Sequence, residues 1–139
     1  MNKYSILVID DEPEILEFLH RILSENYEVA VANNANEAKV ILSRDTTHLI
    51  ICDVMMPLVD GFEFCRWIKN DPNFAHIPVI LLTAKNTTKD AIDGLESGAD
   101  VYMQKPFSNK QLLAQVASTL SSRSKYMDHF VNEPFMGIK

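Results

Sequence analysis

The sequence predicts a doubly wound α/β domain built on a five-stranded parallel sheet. Five short apolar runs rich in Ile, Val and Leu recur along the chain, and segments with helical spacing of apolar residues lie between them. Most of these runs lack alternating polar residues, which is typical of strands buried on both faces of a parallel sheet. The predicted strands are residues 6–9, 29–31, 49–52, 79–82 and 101–103.

Each strand is followed by a segment that predicts a helix, which gives five helices in all. Pro13 suits the first turn of the first helix, and Ser108 with Gln111 predicts a capping box at the start of the fifth. The fourth helix is the weakest, because Gly94 lies inside it. The apolar stripes that indicate the helices fall within residues 15–23, 35–42, 62–68, 91–95 and 112–120.

The end of the last apolar stripe marks the predicted domain boundary. Residues 121–125 are polar, with the sequence SSRSK, and the residues after them carry too few apolar side chains to build a core. We therefore expect one domain at residues 1–122. Residues 123–139 are expected to form a C-terminal tail or a linker toward an output domain.

Composition argues against several classes of function. The chain has 13 Lys and Arg against 19 Asp and Glu, a net charge of -6, and direct nucleic acid binding needs a basic face. The longest apolar runs are far shorter than the roughly 18 residues of a membrane span, and no signal-peptide pattern precedes the first acidic pair. Cys52 and Cys65 form neither a disulfide framework nor a CxxC pair. We expect a cytoplasmic protein that binds neither membranes nor nucleic acid directly.

Reactive side chains follow four of the five predicted strands. Asp10 and Asp11 follow the first strand, Asp53 the third, Thr83 the fourth and Lys105 the fifth. Nothing ionisable follows the second strand directly, so we expect it at an edge of the sheet. Ligands of such sheets bind beyond the carboxyl ends of the strands, near the point where strand order reverses. The predicted order is 2-1-3-4-5, which makes strands one and three neighbours and brings the three carboxylates together.

Three carboxylates in one pocket require a cation. Two unit charges about 5 Å apart repel by about 3 kcal/mol at an effective dielectric of about 20. Oxygen ligands at a hydrated sheet edge suit Mg²⁺, and none of the 4 histidines stands at zinc-ligand spacing from another. With Mg²⁺ and Lys105 the pocket is formally neutral and can receive a phosphoryl group. Attack by a carboxylate such as Asp53 would give an aspartyl phosphate.

Each of these residues also has a purely structural interpretation. Asp11, just before Glu12 and Pro13, could cap the first helix. Asp53 could belong to an Asx-turn, and Lys105 to an ordinary turn with the proline that follows it. Because all of these groups converge on one edge of the sheet, a functional site is favoured.

Four segments that carry these residues together resemble the receiver domain of two-component response regulators. The resemblance covers nearly all of residues 3–121 and implies a flavodoxin-like (CheY-like) fold with the strand order given above. The segments are ILVIDDE at residues 6–12, DVMMPLVDG at 53–61, LTA at 82–84 and KPF at 105–107.

The resemblance implies the chemistry of the site. It implies that Asp53 is the phosphoacceptor and that Lys105 holds a phosphoryl oxygen. It implies Mg²⁺ as the cofactor, with Asp53, the directly bound Asp11 and the largely water-mediated Asp10 as side-chain ligands. The backbone carbonyl of Met55 is the remaining implied protein ligand.

The resemblance also implies a switch and its partners. Thr83 would hold a phosphoryl oxygen and move toward it, and the Tyr102 ring would turn inward. The face formed by helix four, strand five and helix five would then change. The implied partners are a histidine kinase or phosphotransfer domain as donor and an output domain or target protein on that face. The sequence leaves open whether a second copy of the chain also binds to form a homodimer.

Three alternatives fit the sequence less well. An Mg²⁺-dependent aspartate-nucleophile phosphohydrolase needs a second acid two residues beyond the nucleophile, where this chain has Met55. A flavin or nucleotide binder is disfavoured, because the loop after the first strand is acidic and lacks glycine. A pseudo-receiver used only for docking would not need the complete residue set. We expect no enzyme beyond the domain's own phosphoryl transfer and slow autodephosphorylation.

Overall fold

The computed structural model describes residues 3–84 and 88–132. Strands and helices alternate along this part of the chain, and every predicted strand lies within an observed one. The strands are β1 (Ser5–Ile9), β2 (Glu28–Ala32), β3 (Leu49–Asp53), β4 (Val79–Thr83) and β5 (Val101–Gln104). The helices are α1 (Pro13–Leu23), α2 (Ala35–Arg44), α3 (Gly61–Asn70), α4 (Thr88–Glu96) and α5 (Asn109–Asn132). None of the helices in this part of the chain is long and apolar enough to cross a membrane.

The strands form one parallel sheet in the order β2-β1-β3-β4-β5, which confirms the predicted order. β3 and β4 are buried along their whole length, whereas the edge strand β2 is mostly half-exposed. β1 and β3 are neighbours in a register that pairs Ile9 with Cys52. The residues that follow this pair, Asp10 and Asp53, therefore lie side by side at the carboxyl edge of the sheet.

Helices cover both faces of the sheet. Along β1, Leu7 and Ile9 belong to a buried cluster with α2 and α3, while the intervening Val8 faces the other way. α1 contacts β1 and β2, and its buried residues are not part of that cluster, so α1 covers the opposite face. The helix residues of the cluster, which include one of the two free cysteines, are Ala35, Ala38, Leu42, Phe62, Phe64, Cys65 and Ile68.

The loop from β3 to α3 packs back onto the end of β3. The Gly61 N–H donates to the Val54 carbonyl at 2.9 Å, and the Asp60 side chain caps α3 by accepting from the Glu63 N–H at 2.9 Å. A Cβ at position 61 would lie 2.5 Å from the Asp53 carbonyl oxygen and 2.8 Å from Val54 Cα. Only glycine allows this approach of two backbones, which fixes the chain just after Asp53.

α5 extends well beyond its predicted apolar stripe. It begins with the predicted capping box: the Gln111 N–H donates to Ser108 Oγ at 3.0 Å, and the Ser108 N–H donates to Gln111 Oε1 at 2.8 Å. The helix continues to Asn132, across the boundary predicted after residue 122, because no Gly or Pro interrupts it. The division into a domain and a tail stays a prediction, and residues 133–139 of that tail lie outside the described residues.

Gly61→Ala is expected to destabilise the protein by about 2–3 kcal/mol, because the added methyl group meets backbone atoms that cannot rotate away. Urea unfolding followed by the fluorescence of the single tryptophan, Trp67, measures the change. The matched control is Asn36→Ala at an exposed position of α2, which should change stability by less than about 0.5 kcal/mol. A Gly61→Ala protein as stable as this control would contradict the close approach.

Candidate functional site

An acidic cluster lies at the carboxyl end of β1. The carboxylate oxygens of Asp10, Asp11 and Glu12 lie within 4.8 Å of one another, with Asp10 buried and the other two exposed. Asp10 Oδ1 accepts a hydrogen bond from the Glu12 backbone N–H at 2.9 Å. Asp10 Oδ2 is buried and has no hydrogen-bond partner in the described part of the chain. Glu12 is absent from the predicted ligand set, although the run of three acidic residues could have indicated it.

The surroundings of Asp10 disfavour its charged form. Burial is the largest effect and raises the pKa of Asp10 from 3.8 to about 6, and the charges of Asp53 and Asp11 add to the rise. The Glu12 backbone N–H and the Lys105 ammonium lower the same pKa, but by less. At neutral pH Asp10 is therefore an ionised carboxylate with one oxygen that accepts no hydrogen bond from the described residues. Such an oxygen fits Mg²⁺, whose preferred ligands are carboxylates and water.

Asp53, the last residue of β3, forms an ion pair with Lys105. Lys105 Nζ donates to Asp53 Oδ1 at 2.8 Å, and the two side chains are 26% and 5% exposed, respectively. Burial lowers the pKa of Lys105, but the hydrogen bond and charge of Asp53, helped by Asp10 and Glu12, raise it more. The pKa of Lys105 is therefore raised overall, and the ammonium group stays charged at neutral pH. The peptide between Lys105 and Pro106 is cis.

Thr83 ends β4 beside this ion pair. It is buried, and its carbonyl oxygen accepts a hydrogen bond from the Lys105 backbone N–H at 2.6 Å. The strand register pairs Leu81 with Tyr102 and Thr83 with Gln104. Because side chains two residues apart on a strand share a face, Thr83 and Tyr102 lie on the same face of the sheet. The predicted switch pair is thus close together and next to Lys105.

The Tyr102 ring is half-buried between α3 and α4. It stacks on Phe62, with ring centroids 6.2 Å apart and an angle of 19° between the planes. The Cδ1–Cε1 edge of the ring lies against Gly94 of α4. The Tyr102 hydroxyl is buried and has no hydrogen-bond partner among the described residues. The sequence indicates Tyr102 as a switch residue but not these neighbours, because they come from separate elements that only the tertiary structure brings together.

Met55 lies beside the acidic cluster. It lines a cavity of about 550 Å³ together with Asp11 of the cluster and the α4 residues Lys89 and Asp93. Met55 is 52% exposed, and its predicted contribution is the backbone carbonyl oxygen alone. The predicted site residues thus form two adjacent groups: the cluster with Met55, and the Asp53 ion pair with its two strand neighbours.

Two of the purely structural interpretations do not hold. The N-cap of α1 is Glu12, which makes no side-chain cap bond, so Asp11 does not cap this helix. The Asp53 carboxylate contacts Lys105, which is distant in sequence, so a local Asx-turn does not account for it.

Comparisons with known proteins agree with this fold. A family model described as the response regulator receiver domain matches residues 6–117. The transcriptional regulatory protein GltR of Pseudomonas aeruginosa is 41% identical over 120 residues, which are 86% of this chain and 50% of GltR. The response regulator PleD of Caulobacter vibrioides is 43% identical over 114 residues, which are 81% of this chain and 25% of PleD.

A solved structure is similar over most of both chains. The signal receiver domain of a signal transduction histidine kinase from Syntrophus aciditrophicus is 40% identical, with a TM-score of 0.81. The match covers 86% of this chain and 91% of that domain. By contrast, the chain spans only half of GltR and a quarter of PleD, so the match concerns one part of those longer proteins.

Asp10→Asn is expected to remove a pH-dependent destabilisation of the metal-free protein. The Asp10 carboxyl has a pKa of about 6 in the folded chain, against 3.8 for an unperturbed aspartate, so the unfolded chain ionises first and stability falls as pH rises through this window. The variant should therefore be more stable than wild type by about 1–3 kcal/mol at about pH 7.5, and nearly equal to it at about pH 4. Urea unfolding in EDTA at both pH values measures the difference.

The control for this experiment is Glu25→Gln, which changes an exposed acid. Its effect should stay within about 0.5 kcal/mol at both pH values. If Asp10→Asn is no more stable than wild type at the higher pH, the charged form of Asp10 is not disfavoured by burial.

Proposed function

The chain belongs to the response regulator receiver domain family, and we propose from this that Asp53 accepts a phosphoryl group and so controls a two-component signalling switch. The observation that carries the proposal is the ion pair of Asp53 with Lys105 beside the acidic cluster. It combines a buried carboxylate, a charged ammonium group and a site suited to a divalent cation at one edge of the sheet. The phosphoryl donor is a histidine kinase or a phosphotransfer domain.

Asp53 is suited to act as the nucleophile. One carboxylate oxygen is bound by Lys105, and the close approach of Gly61 fixes the backbone just after it. An Asp53 oxygen forms a bond to phosphorus while the bond from phosphorus to the donor nitrogen breaks, and the donor imidazole keeps that electron pair. The Lys105 ammonium offsets negative charge on the transferring phosphoryl oxygens.

Asp10, Asp11, Asp53 and the backbone carbonyl of Met55 would hold Mg²⁺. Support comes from the buried Asp10 oxygen without a partner and from its raised pKa, because both are relieved by a cation. Asp11, whose carboxylate lies in the same acidic cluster as Asp10, lines one cavity together with Met55. When bound, the ion supplies positive charge for the phosphoryl oxygens and offsets the mutual repulsion of the carboxylates.

Thr83 and Tyr102 carry the change to the surface in this proposal. Phosphorylation takes the charge at Asp53 from -1 to about -2 and adds acceptor oxygens, which recruit the Thr83 hydroxyl. Movement of that hydroxyl alters the space beside the Tyr102 ring on the same sheet face. The surface of α4 and β5 then changes, and a partner that binds this surface reads the change.

The same features argue against an enzyme with its own substrate. A phosphohydrolase needs an acid where the chain has the half-exposed Met55. We propose a cytoplasmic signalling domain that catalyses only its own phosphoryl transfer and slow autodephosphorylation.

The proposed partners follow from the same family. Since the chain spans half or less of GltR and PleD, an output domain or a target protein delivers the response, and formation of a homodimer is a further way to pass on the signal. With a net charge of -6, this segment is not proposed to bind nucleic acid itself.

Acetyl phosphate should label wild-type protein with one phosphoryl group on Asp53 when Mg²⁺ is present, because a carboxylate can attack only when the surrounding negative charge is offset. Asp53→Asn should stay unlabelled, since an amide oxygen is a poor nucleophile. Intact-mass and peptide mass spectrometry measure the extent and position of labelling.

Two controls make this test specific. Glu25→Gln removes an exposed acid that follows α1 and is not one of the predicted site residues, so this variant should be labelled like wild type. Excess EDTA should abolish labelling of wild type. Stoichiometric labelling of Asp53→Asn, or undiminished labelling in EDTA, would rule out the assignment of the acceptor or of the metal requirement.

A further inference from the structure

Gly94 of α4 lies directly against the Tyr102 ring. A Cβ on Gly94 would be 3.0 Å from Tyr102 Cδ1, 3.1 Å from Cε1 and 3.6 Å from Cγ. Carbon atoms in favourable contact are about 3.5–4.0 Å apart. The ring therefore occupies space that even an alanine side chain at position 94 would take.

Two other features of the ring have opposite effects on its position. Stacking on Phe62 favours the position between α3 and α4. The buried hydroxyl, which has no hydrogen-bond partner in the described part of the chain, disfavours this position, because the group would regain hydrogen bonds to water if the ring turned outward. These effects are of comparable size, so the steric condition at position 94 is able to decide where the ring lies.

Gly94 is also a poor choice for the helix itself. It lies inside α4, where alanine favours the helical conformation more than glycine does. The chain thus has a helix-weakening residue at the place where the Tyr102 ring needs room. The neighbouring Ile92 is 48% exposed and lies on a different side of α4, so it offers a comparison position.

From these observations we infer that Gly94 is a positioning residue for Tyr102: its lack of a side chain lets the ring lie between α3 and α4, and a side chain there displaces the ring. Only the consequence for signalling rests on the proposed function, because ring position matters there if Tyr102 responds to Asp53 through Thr83. The steric statement concerns the unphosphorylated protein and stands independently.

Substitutions of Gly94 and of Tyr102 should have opposite effects on how often the ring lies against Phe62. Gly94→Ala should push the Cδ1–Cε1 edge of the ring out of its stacked position on Phe62. Gly94→Val, which adds two more methyl groups, should exclude the ring from that position. Tyr102→Phe should favour that position, because the ring is kept and the unsatisfied hydroxyl is removed.

Proton NMR of the full chain tests the inference through the nuclear Overhauser effect between the rings at positions 102 and 62. We expect a cross-peak in wild type, an equal or stronger one in Tyr102→Phe, a weaker one in Gly94→Ala and its loss in Gly94→Val. Ile92→Ala, which changes helix propensity away from the ring, should keep the wild-type intensity. Wild-type intensity in both Gly94 variants would overturn the inference.

Two further measurements distinguish a displaced ring from an unfolded α4 and from a failure of the proposed function. Alanine favours the helix, so a weaker cross-peak in Gly94→Ala cannot come from a melted α4; if Gly94→Val unfolds α4, the alanine variant alone decides. Asp53 labelling by acetyl phosphate should be unchanged in the Gly94 variants, and its loss only there would contradict a purely positioning role. Absence of labelling in wild type would contradict the proposed function and leave the ring measurement valid.

Discussion

The balance of charge at the carboxyl edge of the sheet is the constraint on which the site depends. The strand order places β1 beside β3, so the strand register itself brings Asp10 and Asp53 together at this edge. Lys105 pairs with Asp53, and one buried oxygen of Asp10 has no hydrogen-bond partner within residues 3–84 and 88–132. Among the described residues, Lys105 thus pairs with only one of the three carboxylates that meet at this edge. A site in this condition favours a divalent cation, and with it a phosphoryl group.

On one side of these charges the loop after β3 is closely packed, whereas on the other side α4 contains a helix-weakening glycine. Gly61 brings the loop after β3 into contact with the backbone of Asp53, and the capped α3 holds that loop in place. α4 contains Gly94 and lies against a ring whose hydroxyl is unsatisfied. In the proposed mechanism this asymmetry would keep the Asp53 carboxylate in place while a change near Thr83 alters α4 and β5 at small cost.

The sequence was informative where a local pattern and a general rule were enough. Apolar runs predicted the strands, and the absence of an ionisable residue directly after the second strand placed it correctly at the edge. Features that depend on contacts between distant segments could not be predicted this way. The burial of Asp10 beside the exposed Asp11 and the packing of Tyr102 against Gly94 are of this kind. The length of α5 was missed for a different reason: the polar residues 121–125 interrupt its apolar stripe and were interpreted as the end of the helix.

Asp10 carries a disfavoured charge, which a cation at the sheet edge is expected to relieve. Carbon-13 NMR of the side-chain carboxyl of Asp10, titrated against pH with and without saturating Mg²⁺, tests it most directly. Without metal the pKa of Asp10 should be about 6, and Mg²⁺ should lower it clearly, because the ion binds only the ionised form. An Asp10 that titrates near its ordinary value of 3.8 without metal, or whose pKa Mg²⁺ leaves unchanged, would contradict the account.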